Sequence, residues 1–262
     1  AVPPIGRAMG LLGQHKKLLE EFGAMHFDDK AADADLSLSL AQAHGVAGDL
    51  VQAEQLLDRS LKARADYAPA LIYRGRMVLV KSGVDAALAE LHANPELVGT
   101  NAEAARLEGG LKLDGKQDVD GAIESFKRAL VLQPKDFQSH ESLIAVYLYK
   151  GDKDAARKQV QALKQSLPNT PLARIYEAQM ALLDGDTETA RNLALQVVQV
   201  APQSVRAMYI AASAELQIGN SFNAVTLLQK ALSLQPGLLE ASKLLAQAYL
   251  KSGQPQLALK AL

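Results

Sequence analysis

Apolar side chains recur along most of the chain at the three- and four-residue spacing of amphipathic helices. The helical runs end at residues that break helices, and these breakers recur every 34 positions. They are the prolines Pro134, Pro168, Pro202 and Pro236 and the glycines Gly151, Gly185, Gly219 and Gly253. Proline interrupts helical hydrogen bonding, and glycine readily adopts the left-handed conformation that closes a helix. The pattern therefore predicts tandem pairs of helices joined by short turns.

A small residue recurs at one position of each helix in the predicted pairs. In the second helices these residues are Ala53, Ala87, Ala122, Ala156, Ala190, Ala224 and Ala258. In the first helices, 12 positions earlier, they are Ala41, Gly75, Gly110, Ile144, Ala178, Ala212 and Ala246, of which only Ile144 is large. Two helices cross closely only where side chains are small, and overpacking such a contact costs about 1–3 kcal/mol. We therefore expect these positions, Gly110 among them, to lie where paired helices touch.

These landmarks divide the chain into seven helix-turn-helix repeats after an irregular start. The predicted repeats are 34–67, 68–102, 103–136, 137–170, 171–204, 205–238 and 239–262. One repeat has 35 residues, and we assign its extra residue to the loop from Asn94 to Gly99. Residues 1–33 have helical spacing without the glycine and alanine landmarks, so we expect capping helices or a degenerate repeat there. Since Leu262 falls midway through a second helix, we expect the native chain to continue beyond it.

The second helix of the third repeat, from Ala122 to Pro134, resembles the signature of the tetratricopeptide repeat (TPR) family. The period of 34 residues is that of the same family. Phe126, Tyr147 and Tyr249 stand at its usual aromatic positions, although the tryptophan of its first helix is missing throughout. The resemblance implies an all-α fold, a right-handed α-α superhelix (TPR solenoid) of about seven repeats with an irregular N-terminal helical region. It also implies binding rather than catalysis.

A further resemblance is to the PrsT family, the TPR lipoproteins of bacterial exosortase (PEP-CTERM) systems. It is carried by the segments Gln14–Phe22 and Ala34–Ala41, by Arg74-Gly75-Arg76 and by the stretch Ala207–Leu262. The resemblance implies a location in the periplasm or at the outer membrane, with any lipid anchor outside this sequence, beside machinery for exopolysaccharide and protein export. A cytoplasmic location is the alternative.

The TPR resemblance also implies that the first helix of each repeat lines a concave groove. The candidate partner-binding residues at inward-facing positions are Arg76, Tyr149, Ile175, Gln179, Arg206, Tyr209, Lys243 and Gln247. Apolar spots beside long cationic side chains suit a protein or peptide better than a compact metabolite. We expect Arg206 and Lys243 to grip a carboxylate together, with Tyr149 and Tyr209 as anchors. The alternative is that all of these residues are merely solvated.

Composition excludes several other classes of function. The net charge is −1, aromatic residues make up 5% of the chain and tryptophan is absent, so the chain lacks the basic, aromatic surface of a nucleic-acid-binding protein. Cysteine is absent as well, which excludes disulfides, thiolate nucleophiles and cysteine-based zinc sites. No stretch is apolar enough for a membrane span, and the five histidines are too scattered for a metal site. We predict no cofactor, no metal and no nucleic-acid partner.

Two motifs that resemble catalytic sites favour a structural interpretation. The segment from Gly110 to Gln117 has the spacing of a P-loop, but Gln117 replaces the magnesium-binding Ser or Thr and no strand precedes it. We interpret it as a helix end. The acidic pairs Asp28-Asp29, Asp33-Asp35 and Asp118-Asp120 fall at predicted helix starts, where capping and the helix dipole favour acids. We therefore predict capping rather than acid-base catalysis.

The leading hypothesis is a non-catalytic scaffold that binds a protein or peptide partner in its groove, within an envelope system for exopolysaccharide and exosortase-linked export. Two alternatives stay open. The groove could bind the polysaccharide itself, with Tyr149 and Tyr209 as stacking rings. The array could also be the regulatory arm of a larger enzyme whose catalytic part lies outside this sequence.

Overall fold

The structure is a computed structural model that describes residues 2–168 and 170–262, with side chains from residue 4 onward. Every regular element in these residues is a helix, which confirms the predicted all-α fold. The helices are α1 (Val2–Leu11), α2 (His15–Phe22), α3 (Lys30–Val46), α4 (Leu50–Ala63), α5 (Ala68–His92), α6 (Pro95–Thr100), α7 (Ala102–Gly110), α8 (Val119–Leu132), α9 (Phe137–Tyr149), α10 (Lys153–Ser166), α11 (Pro171–Leu183), α12 (Thr187–Val200), α13 (Val205–Gln217), α14 (Ser221–Leu234), α15 (Leu239–Lys251) and α16 (Pro255–Lys260). A π-helical turn, Leu111–Gly115, follows α7 directly. The chain forms two compact units, unit 1 up to Ser139 and unit 2 from His140 onward.

Aspartate side chains begin several of the helices, because a carboxylate satisfies a backbone N–H that has no partner in the first turn. Asp29 accepts a hydrogen bond from the backbone of Ala32 at 2.7 Å, and Asp118 accepts one from Gly121 at 3.0 Å. The same contact begins α4, α10 and α12 at Asp49, Asp152 and Asp186. The capping prediction is confirmed for Asp29 and Asp118.

Asp33 and Asp35 are exceptions to that prediction. Helix α3 begins at Lys30, so both carboxylates lie inside the helix rather than at its start. Asp33 pairs with Arg59 of α4, and this guanidinium holds the pKa of Asp33 below its usual range. Asp35 pairs with Arg7 of α1. The two aspartates therefore tie neighbouring helices of unit 1 together instead of capping one.

The recurrent small residues lie where the sequence places them in most repeats. Six of the seven recurrent alanines have no exposed surface, and the seventh, Ala258, is nearly buried. The turn glycines Gly151, Gly185, Gly219 and Gly253 all have φ between 72° and 90°. A side chain with a Cβ atom avoids this left-handed conformation, which explains why glycine recurs at the turns.

The third repeat departs from the common pattern within its first helix. Helix α7 follows the N-cap Asn101, and α8 follows the N-cap Asp118, 17 residues later. In the fifth repeat the corresponding caps, Thr170 and Asp186, are 16 residues apart. The π-helical turn accommodates the additional residue, and the backbone N–H of Asp118 closes it by bonding to the carbonyl of Lys112 at 2.9 Å. The extra residue lies in this turn and not, as predicted, in the loop from Asn94 to Gly99.

The π-helical turn also changes which glycine touches the paired helix. A Cβ atom at Gly109 would come within 2.6 Å of the Phe126 ring, whereas one at Gly110 would meet nothing within 4 Å. The close contact predicted at Gly110 is therefore at Gly109, because the extra residue lies between this position and the second helix. The turn leads into Gln117, whose φ of 54° is left-handed at the place where the next four repeats have glycine.

The N-terminal helices α1 and α2 pack against α3. Leu18, Leu36 and Leu40 are fully buried between them, and Met9 completes the apolar cluster. The helical segments predicted within residues 1–33 thus cover the outer side of α3 in unit 1.

Candidate functional site

A groove in unit 1 runs beside α5 and has a volume of about 870 Å³. The end of α3, the start of α4, the first half of α5 and the start of α7 form its walls. We call it the unit 1 groove; its lining residues are Gln42, Gly45, Val46, Leu50, Val51, Glu54, Pro69, Ile72, Tyr73, Arg76, Met77, Val80, Lys81 and Glu103. Val46, Leu50, Val51 and Val80 are each more than half exposed. Exposed aliphatic side chains gathered in one concave surface are typical of a binding site.

The charged side chains of the unit 1 groove are paired with one another. The ammonium of Lys81 lies 3.0 Å from both carboxylate oxygens of Glu54, and Arg76 donates to Glu103 at 2.8 Å. Each pair joins α5 to a neighbouring helix, α4 on one side and α7 on the other. The lining therefore has two positive and two negative charges, and its net charge is zero.

Tyr73 forms part of the groove wall through a close approach to α3. Its hydroxyl donates to the backbone carbonyl of Ala41 at 3.3 Å, and burial raises the pKa of that hydroxyl. A Cβ atom at Gly45 would lie 2.3 Å from the same oxygen, so only glycine fits at this position without movement of the ring. The hydroxyl of Tyr73 is thus held against α3.

Of the residues predicted from the sequence, Arg76 lies in the unit 1 groove. Sequence reasoning missed its aliphatic wall, although one signal was present. Leu50 and Val51 directly follow the cap Asp49 at a helix start, where the corresponding residues of the fourth repeat are the charged pair Lys153-Asp154. Two apolar residues at a position that is otherwise polar indicate a surface that something covers.

In unit 2, the predicted residue Arg206 is the centre of a polar network that joins α9, α11 and α13. Its guanidinium donates to Tyr176 at 2.7 Å, to Gln179 at 2.8 Å and to Glu141 at 3.1 Å. The hydroxyl of Tyr176 donates to the same oxygen of Glu141 at 2.8 Å, and the Tyr176 ring stacks 4.2 Å from the guanidinium carbon. Burial raises the pKa of Tyr176, so its hydroxyl remains a donor.

This network corrects the predicted grip of Arg206 and Lys243 on a ligand carboxylate. The carboxylate that Arg206 binds is Glu141 of the chain itself, 65 residues away. Lys243 and Gln247 are exposed on α15, and no described residue pairs with either side chain. Tyr149 is exposed at the end of α9.

Ile175 differs most from its predicted role. Its side chain is 7% exposed and packs with Ala178, Ala194 and Ile210 in a core of unit 2. A partner in a groove would reach little of it, because the helix turns this position toward its neighbours rather than toward solvent. Ile175 is a core residue.

Tyr209 lines a smaller pocket of unit 2, with a volume of about 370 Å³. Its other lining residues are Val205, Arg206, Gln235, Leu238 and Glu240. The pocket mixes three apolar-bodied side chains with three polar ones, and Arg206 belongs to both the pocket and the network with Glu141.

One carboxylate of unit 1, Glu108, is almost completely buried, with 5% of its side chain exposed. Burial alone would raise the pKa of Glu108, but hydrogen bonds outweigh it and lower the pKa to about 2. The donors are His92 at 2.8 Å, Ser125 at 2.9 Å, Lys112 at 3.1 Å and Arg128. These contacts link the end of α5, the π-helical turn and α8, so Glu108 stabilises the irregular third repeat.

Features of other site classes were also sought in the described residues. Nowhere among them do three or more His, Asp or Glu side chains gather closely enough to hold a metal ion. None of the helices there combines the length and hydrophobicity needed to span a bilayer. The segment with P-loop spacing forms the end of α7 and the π-helical turn, and its Lys116 pairs with Asp85.

Comparison with known proteins agrees with the repeat architecture. The family model described as a tetratricopeptide repeat matches residues 107–173, 143–199 and 177–238, which together span half of the chain. A search of curated proteins gives no match.

Several solved structures are similar to this chain. A tetratricopeptide repeat protein from Parabacteroides merdae is 13% identical with a TM-score of 0.65, over 87% of this chain and 90% of that one. The pilF protein of Pseudomonas aeruginosa is 18% identical with a TM-score of 0.66, over 83% and 99%. Yeast Tom70 is 15% identical with a TM-score of 0.61, over 99% of this chain but 54% of Tom70, so the chain spans about half the length of that protein. At these identities the likeness concerns the fold alone.

Proposed function

This chain belongs to the tetratricopeptide repeat family, and we propose that it is a non-catalytic scaffold that binds a protein partner through the unit 1 groove. One observation carries the proposal: four exposed aliphatic side chains meet in a single groove. Water covers them in the free chain, and burial under a partner is favourable by about 25 cal/mol for each Å² of apolar surface. Val46, Leu50, Val51 and Val80 are thus the residues expected to contribute most to binding.

The composition of the groove favours a protein partner over a polysaccharide. Sugar-binding surfaces stack flat aromatic rings against the sugar, as the alternative hypothesis requires. The one aromatic residue in this lining is Tyr73, whose hydroxyl is held by the carbonyl of Ala41. The exposed surface is aliphatic instead, and aliphatic side chains of a peptide complement it best.

A random peptide library displayed on phage tests this function. We expect the wild-type protein to enrich peptides rich in aliphatic residues. Val80→Asp should lower their affinity by about tenfold or more, because it places a charge opposite apolar side chains. Val131→Asp is the matched control: Val131 also lies in unit 1, is 81% exposed against 77% for Val80, and does not line the groove.

Both substitutions change an exposed valine, so circular dichroism should show the same helix content in each variant. Enriched peptides that bind Val80→Asp as well as they bind the wild-type protein would refute the assignment of the groove. Failure to enrich any peptide would refute the function itself.

We further propose that the scaffold serves a bacterial envelope system for exopolysaccharide and exosortase-linked protein export. The support for this is the resemblance of Gln14–Phe22, Ala34–Ala41 and Ala207–Leu262 to the PrsT family. Fractionation of cells that produce the native protein tests it, with recovery in the envelope fraction as the expected result. Recovery in the cytoplasmic fraction would refute it.

Binding of an acidic polysaccharide in unit 2 is the second candidate. Its support is Tyr209, which lines a pocket together with Arg206. Titration of the wild-type protein and of Tyr209→Ala with acidic oligosaccharides distinguishes the two candidates. Saturable binding that Tyr209→Ala abolishes would favour the polysaccharide, and absence of binding would leave the protein partner as the ligand.

A further inference from the structure

We infer that the occupant of the unit 1 groove is an amphipathic α-helix whose bound face is aliphatic and uncharged. The inference rests on the proposed function and specifies the partner. It follows from three properties of the lining: the hydrogen-bonding state of its polar groups, the balance of its charges and its length.

The first property concerns the backbone of the partner. An extended peptide brings N–H and C=O groups into the groove, and each group that is buried without a partner costs free energy. The walls are helices, whose backbone groups are bonded internally, so they present no sheet edge to which a strand could be added. A helical partner satisfies its own backbone groups before it binds.

The side chains of the groove do not supply the missing bonds either. Tyr73 donates to Ala41, Lys81 binds both oxygens of Glu54, and Arg76 binds Glu103. Of the polar side chains in the lining, Gln42 makes no bond to another described residue. One amide cannot satisfy the backbone of an extended segment, so the groove selects against it.

The second property concerns charge. Because the four charged side chains form two closed pairs, a charged residue of the partner would have to break one of them or stay unpaired. Surface ion pairs contribute little stability, but an unpaired charge against aliphatic side chains is costly. The bound face of the partner is therefore aliphatic, and its charged residues face solvent.

The third property is length. Along α5 the lining extends from Pro69 to Lys81, which at a rise of 1.5 Å for each residue is about 18 Å. A helix lying along α5 would contact the groove over about 12 residues, or three turns. Met77 lies within this stretch, and its flexible side chain adapts to aliphatic groups of different shape.

Two synthetic peptide libraries test the inference. Both contain the same aliphatic and polar residues in peptides of about 14 residues, long enough for the groove. In the first library the aliphatic residues recur every three to four positions, as on one face of a helix; in the second they alternate, as on one face of a strand. Affinities of enriched peptides are measured by fluorescence anisotropy on the wild-type protein, Val80→Asp and Val131→Asp.

We expect the helical pattern to yield binders that are at least about tenfold tighter than those of the alternating pattern. Proline at the centre of an enriched peptide should lower its affinity by a similar factor, since it breaks the helix. Val80→Asp should weaken binding and Val131→Asp should not.

The outcomes separate the inference from the function it rests on. Equal or tighter binding by alternating peptides, or tolerance of the central proline, would refute the helix while leaving protein binding intact. Tighter binding after acidic residues replace the aliphatic face would refute the uncharged face. If neither library yields binders sensitive to Val80→Asp, the proposed function itself is wrong.

Discussion

Two adjacent glycines of α7 test the shifted helix contact of the third repeat. Gly109→Ala would place a methyl group 2.6 Å from Cε1 and 2.8 Å from Cδ1 of Phe126, which is buried and cannot swing into solvent. Gly110→Ala would place the same group in open space. Both positions are helical, so alanine is favoured over glycine by about 0.5–1 kcal/mol at each.

The two variants therefore differ in packing and share the same gain in helix propensity. Overpacking of a well-packed contact costs about 1–3 kcal/mol. We expect Gly110→Ala to raise the free energy of unfolding by about 0.5–1 kcal/mol. Gly109→Ala should lower it by about 1 kcal/mol, so that the two differ by about 1–3 kcal/mol.

Urea unfolding followed by far-ultraviolet circular dichroism measures the overall effect. Because repeat proteins can unfold in parts, amide hydrogen exchange in α7 and α8 provides the local measurement. Equal stabilisation by both substitutions would show that Phe126 leaves room at Gly109 and refute the close contact. Destabilisation by Gly110→Ala alone would restore the helix register that the sequence suggests and refute the π-helical shift.

Three further predictions concern polar and backbone features. Gln117→Gly should stabilise unit 1 by about 1 kcal/mol in urea unfolding, because it removes a left-handed non-glycine residue. Glu108 has its pKa lowered from 4.5 to about 2, so its stabilisation is present above pH 4.5 and is lost as the pH falls toward 2; wild-type acid unfolding should be steeper than that of Glu108→Gln, by up to about 3 kcal/mol. Tyr176→Phe, which removes bonds to Glu141 and Arg206, should cost unit 2 about 1 kcal/mol in thermal unfolding at low salt and less at high salt.

The sequence predicted much of the fold because its signals are local. A cap such as Asp118, a turn glycine such as Gly151 and a recurrent alanine such as Ala156 each act on residues within a turn or at one helix crossing. Their common period then fixes the helix-turn-helix unit. Local rules failed at Gln117, where the period is kept but the glycine is not, and the compensating residue lies earlier in the π-helical turn.

The candidate site was predictable only in part. Arg76 was found because its position in the repeat faces the groove, whereas the aliphatic wall was missed because Val46, Val51 and Val80 come from three different helices. Ile175 has the same kind of repeat position as Arg76 but is buried by its neighbours. A repeat position fixes the approximate direction of a side chain, and the surrounding side chains decide whether it remains exposed.

By itself the sequence determined that this chain folds into paired helices, where most of them begin and end, and which alanines they bury. These properties depend on contacts between residues close in sequence or related by the repeat. The tertiary structure decided that Gly109 rather than Gly110 meets Phe126, that Arg206 binds Glu141, and that the charges of the unit 1 groove cancel. Each of these outcomes depends on distances of a few ångströms between side chains on separate helices, which no local pattern in the sequence specifies.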